Sequence, residues 1–433
     1  MLKRIVSVQP HETAALLWSF VYFFCLLCGY YILRPVRDEM GIQGGVQNLP
    51  WLFTATFVAM LAVTPLFGWL AARFPRRTML PAIYWFFIAN LLLFFAASHA
   101  EGPTPHIARA FFVWVSVFNL FVVSVFWSFM VDLFSAEQGK RLFGFIAAGG
   151  TGGAIAGPLL AAGLAPALGP VNLLWVSAGF LAAAVLCIRR LSAWAGAISR
   201  HAAAGQAEKA LGGSAWAGIR EVLRSPYLLG ICFYLFCYTT LSTLLYLEMA
   251  RLVSVEFPLP AERTRLFATL DLAVNVLTLA IQVFLTARCL RRFGVTVTLA
   301  LAPAAAVIGF AVLGFVPVLV VLIVFGVIRR AGEFALGKPA REILFTVVSR
   351  EEKYKAKNVI DTVVYRGGDA LSSWLVAAAR GSGLGLSALS FAAVPLAAAW
   401  WLTAIWLGRR QRKLELRDTP LPSRSPADQA ASG

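Results

Sequence analysis

Charge is scarce in this chain. Only 14% of its 433 residues are Asp, Glu, Lys or Arg, against about a quarter in ordinary soluble domains. With 59% of the residues hydrophobic, so few charges cannot cover the surface of a water-soluble fold. Histidine is scarcer still. The four, His11, His99, His106 and His201, are too scattered for a metal cluster or a nucleophile–base set. No Gly-Lys-Ser/Thr loop is present, which excludes the phosphate cradle of P-loop enzymes. Six cysteines include one CxxC spacing, Cys25-Leu26-Leu27-Cys28, but no second pair and no polar context. They read as small buried thiols rather than a redox or zinc site. The expectation is a protein that is not an enzyme and holds no cofactor or metal.

What the chain has in abundance is apolar runs of about 20 residues, with a mean hydropathy of +0.75. Such runs are long enough to cross a bilayer as helices. Twelve can be placed: 14–32, 51–72, 79–97, 108–131, 143–164, 171–188, 227–247, 266–287, 295–315, 318–345, 359–379 and 387–407. The net charge of +17 does not indicate a nucleic-acid partner, because the basic residues sit in short loops at alternate ends of the runs. These are Lys3/Arg4, Arg73/Arg76/Arg77, Lys140/Arg141, Arg189/Arg190, Arg288/Arg291/Arg292, Lys353/Lys355/Lys357 and the tail from Arg409. The loops at 99–106 and 165–170 have none. Basic residues stay on the cytoplasmic side, so both termini are expected there. The first run is expected to remain as a span rather than be removed as a signal.

The chain repeats itself. Arg73-Phe74-Pro75-Arg76-Arg77 is matched 215 residues later by Arg288-Cys289-Leu290-Arg291-Arg292, and Ser135-Ala136-Glu137 is matched 214 residues later by Ser349-Arg350-Glu351. The fold expected is an all-α polytopic membrane protein with twelve transmembrane helices in two pseudo-symmetric six-helix halves. The halves are residues 1–190 and 227–408, joined by a cytoplasmic linker, 191–226, and followed by a disordered tail, 409–433. Trp194, Trp216 and Ile219 give the linker a loosely amphipathic, interfacial character.

The repeat bears on the densest run of charge. Arg329, Arg330, Glu333, Lys338, Arg341 and Glu342 fall within fourteen residues after the apolar run 300–328. The interval from Arg292 to Ser349 should hold two crossings, as the interval from Arg77 to Ser135 does, turning near Gly314–Pro317. Arg329 then lies roughly 12–16 Å into a core of about 30 Å. A rival assignment makes Phe310–Ile328 one complete span and Arg329-Arg330 its cytoplasmic stop. Buried at mid-membrane, such charges mark a functional site, or a structural lock in which each is neutralised. Glu333 is spaced to pair with Arg329 or Arg330, and Pro339 to kink or break the helix. Arg366 and Asp369 reach the same level from the next span. Asp271, sharing a helix face with Asn275, is a lone candidate for a protonatable group. Arg34 and Arg37, beyond the end of the first span, read either as an interfacial anchor or as an anion-attracting mouth. Gly149-Gly150-Thr151-Gly152-Gly153 reads as close helix packing.

Several stretches resemble the TLC family of bacterial and plastid ATP/ADP translocases. They are Tyr31-Ile32-Leu33-Arg34-Pro35-Val36-Arg37-Asp38, Val125-Phe126-Trp127-Ser128-Phe129 with Lys140-Arg141-Leu142-Phe143-Gly144, Lys338-Pro339-Ala340-Arg341-Glu342, the block from Glu351 to Asp361, and Gly367-Gly368. Arg73 to Arg77, after Gly68, also looks like the loop motif of major-facilitator carriers, with Ala72 where that motif has an acid. The family's acidic residue ahead of its Phe-Trp pair has no counterpart between Val115 and Asn119, and its lysine after the Asp361 block stands as Arg366. The resemblance implies a major-facilitator-like antiporter in the bacterial inner membrane, exchanging nucleotides whose phosphates meet basic residues.

The function expected is therefore secondary active transport, by alternating access, of an organic anion such as a nucleotide or phosphate ester. The alternatives are a proton-coupled carrier of another small solute and a non-transporting membrane scaffold. Arg329, Arg330, Arg366, Arg37 and Lys338 are the expected substrate-binding residues, with Glu333, Asp369 and Asp271 as counter-ions or coupling groups. The expected partners are a small organic anion and the lipid bilayer, with no nucleic acid.

Overall fold

The computed structural model describes residues 12–73, 76–100, 104–199, 222–348 and 359–418, together with residues 9, 102, 220, 356 and 357. Helix dominates, and no strand occurs among the described residues. The helices are α1 (Thr13–Gln43), α2 (Leu49–Arg73), α3 (Arg76–Ala100), α4 (Pro105–Leu133), α5 (Ala136–Leu168), α6 (Leu173–Ser199), α7 (Pro226–Glu256), α8 (Pro260–Ile281), α9 (Ala287–Phe315), α10 (Leu319–Gly332), α11 (Lys338–Leu344), α12 (Tyr365–Gly381) and α13 (Leu386–Asp418). Three π turns interrupt them: Gln282–Thr286 joins α8 to α9, Glu333–Gly337 joins α10 to α11, and Ile360–Val364 opens α12.

Nine stretches among the described residues are long and apolar enough to cross a membrane. The longest, Pro260–Phe315, is not one straight rod. Gly294 inside α9 adopts φ 74°, a left-handed conformation that a side chain would resist, and the helix breaks there. Large apolar side chains such as Leu93, Phe86 and Phe315 point outward, between 61% and 78% exposed. Lipid, not water, is the solvent such a surface suits, and the protein is a multi-pass integral membrane protein.

Buried apolar side chains gather in two clusters. One is drawn from α1 and α3 to α6 with Ala268. The other comes from α7 to α13 with Ile42, Leu49, Leu52 and Phe112. The first is organised by the glycines of α5. A Cβ on Gly153 would lie 2.9 Å from the Cys28 backbone nitrogen, and one on Gly157 would lie 2.7 Å from the Cys28 carbonyl oxygen. Gly149 meets the Phe20 carbonyl in the same way. A glycine every fourth residue thus lets two helix backbones touch, as the run from Gly149 to Gly153 predicted.

At its start α1 is fastened to α5 by Glu12. This carboxylate accepts from Gln138 Nε2 (2.8 Å), Arg141 Nη2 (3.0 Å) and the Gln9 backbone N–H (3.0 Å). Burial works to raise its pKa. The Gln9 N–H and the two side chains outweigh burial and hold the carboxyl down at about 2.

The structure corrects several boundaries. α1 runs on to Gln43 through Pro35, where the first span was expected to end at residue 32. The tail expected to be disordered from 409 is helical to Asp418, with Gln411 buried and bonded to Glu415 (3.2 Å). α6 extends to Ser199 into the expected linker. Trp216, Ile219, Lys353, Lys355 and residues 419–433 lie outside the described residues. The reversal expected near Gly314–Pro317 falls between Phe315 and Leu319. The break lies inside the rival span 310–328, at the place where the repeat-based assignment expects a turn.

Candidate functional site

The site begins with a proline. Pro339 has no N–H to give the carbonyl of Ala335, four residues back. The chain answers with the π turn Glu333–Gly337, in which the Lys338 N–H bonds the Glu333 carbonyl five residues back. The orphaned Ala335 carbonyl accepts instead from Thr286 Oγ1 at 2.8 Å. Thr286 closes the π turn between α8 and α9, so the two distortions face each other. Pro339 was expected to kink or break the helix; a widened turn absorbs it. Such π turns recur at functional sites.

Widening that turn changes which charges meet. Glu333 was expected to pair with Arg329 or Arg330, but its nearest cation is Arg341, 3.5 Å away. Gly337, lacking a side chain, leaves room for the Glu333 carboxylate beside it. Arg330 reaches across to α8 and donates to Asp271 at 2.6 Å. The other oxygen of Asp271 lies 3.4 Å from Arg34 Nε on α1. One buried carboxylate therefore joins α1, α8 and α10. Among the described residues, Arg329 has no carboxylate within 4.0 Å. It donates to Ser242 Oγ (2.9 Å), sits over the Tyr238 ring (5.6 Å) and keeps Nε and Nη1 without hydrogen-bond partners, at 2% exposure.

The remaining charges are arranged around open space. Arg37 pairs with Asp38 (2.6 Å), which also accepts from Tyr246 Oη on α7 (3.1 Å). Arg366 lies 3.5 Å from Asp369, and Asp369 accepts from Thr243 Oγ1 at 3.3 Å. Between them is a cavity of about 450 Å³ whose wall includes Arg34, Arg37, Lys338 and Arg366 but, among the described residues, only one carboxylate, Asp369. Tyr31, Phe53, Phe112 and Tyr365 add aromatic faces. Arg37 lies over the Phe112 ring (5.2 Å) and Arg366 over the Tyr365 ring (5.3 Å). A second cavity of about 260 Å³ shares Phe334, Lys338, Tyr365 and Arg366 with the first, and continues to Glu333, Arg341, Glu342 and Asp361. Glu342 pairs with Lys357 at 2.5 Å.

Of the residues singled out in the sequence, Arg37, Arg366, Lys338 and Asp369 line the main cavity and Glu333 lines its extension. Arg329, Arg330 and Asp271 are not part of the main cavity's described wall. Asn275 is taken up by packing: its amide donates to the Ala154 carbonyl of α5 at 2.6 Å. Arg34, read from the sequence either as an interfacial anchor or as part of an anion-attracting mouth, lines the cavity, and so do Ser242, Thr243 and Tyr246, which the sequence did not single out. The spacing of Arg34 and Arg37, one helical turn apart, was the available signal for a shared face. The three polar residues of α7 carried none.

At the α1 C-terminal end of this cavity, further contacts cross between helices. Glu39 lies 3.7 Å from Arg263 of α8, and Trp374 Nε1 of α12 donates to Thr54 Oγ1 of α2 at 3.0 Å. Trp51 and Trp374 meet edge-on, with ring centroids 4.9 Å apart.

A long helical membrane protein with a charged central cavity is the architecture of a carrier. The sequence profile of the Major Facilitator Superfamily matches residues 15–339, and the chain belongs to that superfamily. It is similar to the ADP,ATP carrier protein 1 of Chlamydia muridarum (strain MoPn / Nigg), 23% identical over 431 residues, covering 83% of this chain and 81% of that protein. In fold it is similar to the nucleoside transporter NupG, with a TM-score of 0.65 at 12% identity, covering 94% of this chain and all of NupG. A bacterial homologue of the iron transporter ferroportin in its inward-facing state gives a TM-score of 0.63 at 14% identity, covering 93% and 98%. The resemblance to the ATP/ADP translocases read from the motifs is thus matched along the chain.

Proposed function

We propose that the protein is a secondary transporter that moves a nucleotide-like anion across the membrane by alternating access. The observation that carries this reading is the main cavity, where four cationic side chains and several aromatic rings face a single carboxylate. Guanidinium groups present a planar fork suited to phosphate, and aromatic faces accept a base whatever its identity. Relatives named as ADP,ATP carriers support the same cargo class. Arg37, Arg366 and Lys338, joined by Arg34, bind the anion. Arg329 and Arg330 add positive potential from outside the described wall. Asp271, Asp369 and Glu333 are the counter-ions, and no bond is made or broken.

The architecture that suits this role is twelve crossings in two six-helix halves, residues 1–190 and 227–408. The nine apolar stretches support that count once Pro260–Phe315 is divided at Gly294 and the two charged rods, Leu319–Leu344 and Ile360–Gly381, are added. The basic loops support a cytoplasmic side for both termini, in a bacterial cell. The contacts of Glu39, Arg263, Trp51 and Trp374 then close the outer side, and the extension of the cavity past Lys338 leads inward.

The test is counterflow in proteoliposomes, with labelled nucleotide outside and a panel of unlabelled anions, neutral solutes and cations inside. Anionic phosphate esters should drive exchange, and Arg366→Ala and Arg37→Ala should abolish it. Exchange driven by neutral or cationic solutes, with no anion competing, would sink the reading.

A further inference from the structure

Each carboxylate around the two joined cavities can be assigned its own cation, with one exception. Asp38 has Arg37, Asp369 has Arg366, Glu333 has Arg341, Glu342 has Lys357, and Asp271 has Arg330 as its nearer partner. Asp361, on the wall of the extension, has no ion pair within 4.0 Å among the described residues. On the cationic side three groups remain. Arg34 is the more distant claimant on an already answered Asp271. Lys338 lies on the wall common to both cavities. Arg329 is buried behind Ser242, a wall residue, with two guanidinium nitrogens unpartnered. Among the described residues, three cations against Asp361 leave a surplus of two positive charges.

A fixed surplus in a low-dielectric cavity is unfavourable until an anion of matching charge completes it. A phosphate monoester carries nearly two negative charges at neutral pH, because its second pKa is about 6. Each further phosphate in a chain adds about one more charge, which this set of residues leaves unanswered. Building on the proposed nucleotide reading, we infer that the site is matched to a dianion, so that its preferred cargo is a nucleoside monophosphate rather than a di- or triphosphate. The aromatic rings around the same cavity take the base, and Arg34 and Lys338 take the phosphate.

The experiment is a charge series on the full-length protein in nanodiscs, with magnesium excluded. Adenosine, AMP, ADP and ATP compete against one labelled phosphate ester in equilibrium binding. AMP should bind tightest, with ADP and ATP each weaker by about tenfold or more per added phosphate, and adenosine weakest. Asp361→Asn raises the surplus to three and should move the optimum to ADP. Lys338→Gln lowers it to one and should weaken AMP by at least about tenfold while narrowing the difference between AMP and adenosine. ATP binding as tightly as AMP, or adenosine binding equally well, overturns the charge match but leaves nucleotide transport standing. If no member of the series competes, the nucleotide reading itself falls. The wild-type series decides the matter even if either variant fails to fold.

Discussion

Replacing Asp271 with asparagine perturbs the structure at its most connected charge. The Asp271 side chain is 3% exposed and lies 2.6 Å from Arg330 and 3.4 Å from Arg34. At an effective dielectric near 20, each contact supplies roughly 5 kcal/mol of Coulombic attraction, most of it offset by the cost of stripping water from three charges. Asparagine keeps the shape and removes the attraction but not the desolvation, and two guanidinium groups are then left facing each other. Breaking a buried pair in this way costs about 3–5 kcal/mol, and that is the destabilisation expected of Asp271→Asn. Equilibrium unfolding in detergent measures it. The double variant Asp271→Asn/Arg330→Gln should recover at least half of the loss, because it removes the nearer stranded cation. Arg34→Gln alone should cost less than Asp271→Asn, since Arg34 is 18% exposed and its link is longer. A loss below about 1 kcal/mol for Asp271→Asn would mean that the pairs are hydrated. A double variant no more stable than the single one would refute the stranding argument.

Three further outcomes are expected. Gly153→Leu places a side chain against the backbone of Phe24 and Cys28, so α1 and α5 must separate, and thermal unfolding should register a loss of at least about 2–3 kcal/mol. Thr286→Val removes the hydroxyl that satisfies the Ala335 carbonyl and should cost about 1–3 kcal/mol, whereas Thr286→Ser should cost much less. The Glu12 carboxyl, ordinarily near 4.5, is held at about 2 in the folded protein. Its contribution is fully present above pH 4.5 and is lost as pH falls toward 2; the acid limb of the stability curve should flatten in Glu12→Gln, and an unchanged limb would show that the Arg141 and Gln138 contacts are idle.

Much of this fold is legible in the sequence because bilayer thickness imposes a length on every apolar run. The turn between Phe315 and Leu319 carries almost no polar signal, yet the 214-residue repeat places it. The glycines of α5 are equally readable, since four-residue spacing puts Gly149, Gly153 and Gly157 on one face. Pairing is a different matter. Whether Glu333 meets Arg330 or Arg341 depends on the pitch of a single turn, and the π turn that decides it follows from Pro339 and from a hydroxyl donated by a distant helix. Asp271 was visible as a lone acid, but its two arginines come from residues 34 and 330, and no local spacing relates these. The first helix was cut short for a related reason. Arg34 and Arg37 look like the end of a span until Asp271 and Asp38 are seen beside them.

A ligand can drive a conformational change only if it interacts differently with the two states. Arg34 offers a concrete source of that difference. Its guanidinium lines the cavity while its Nε lies 3.4 Å from Asp271, so an anion in the cavity competes with Asp271 for it. Arg330, at 2.6 Å from Asp271 and outside the described wall, would keep that carboxylate neutralised if Arg34 turned away. In the proposed transporter, cargo binding and the tie between α1 and α8 would draw on the same guanidinium. Loss of that tie leaves no stranded charge, since Arg34 meets the anion and Asp271 keeps Arg330. A carrier needs this low-cost exchange of partners, and a lock built from isolated pairs would not supply it.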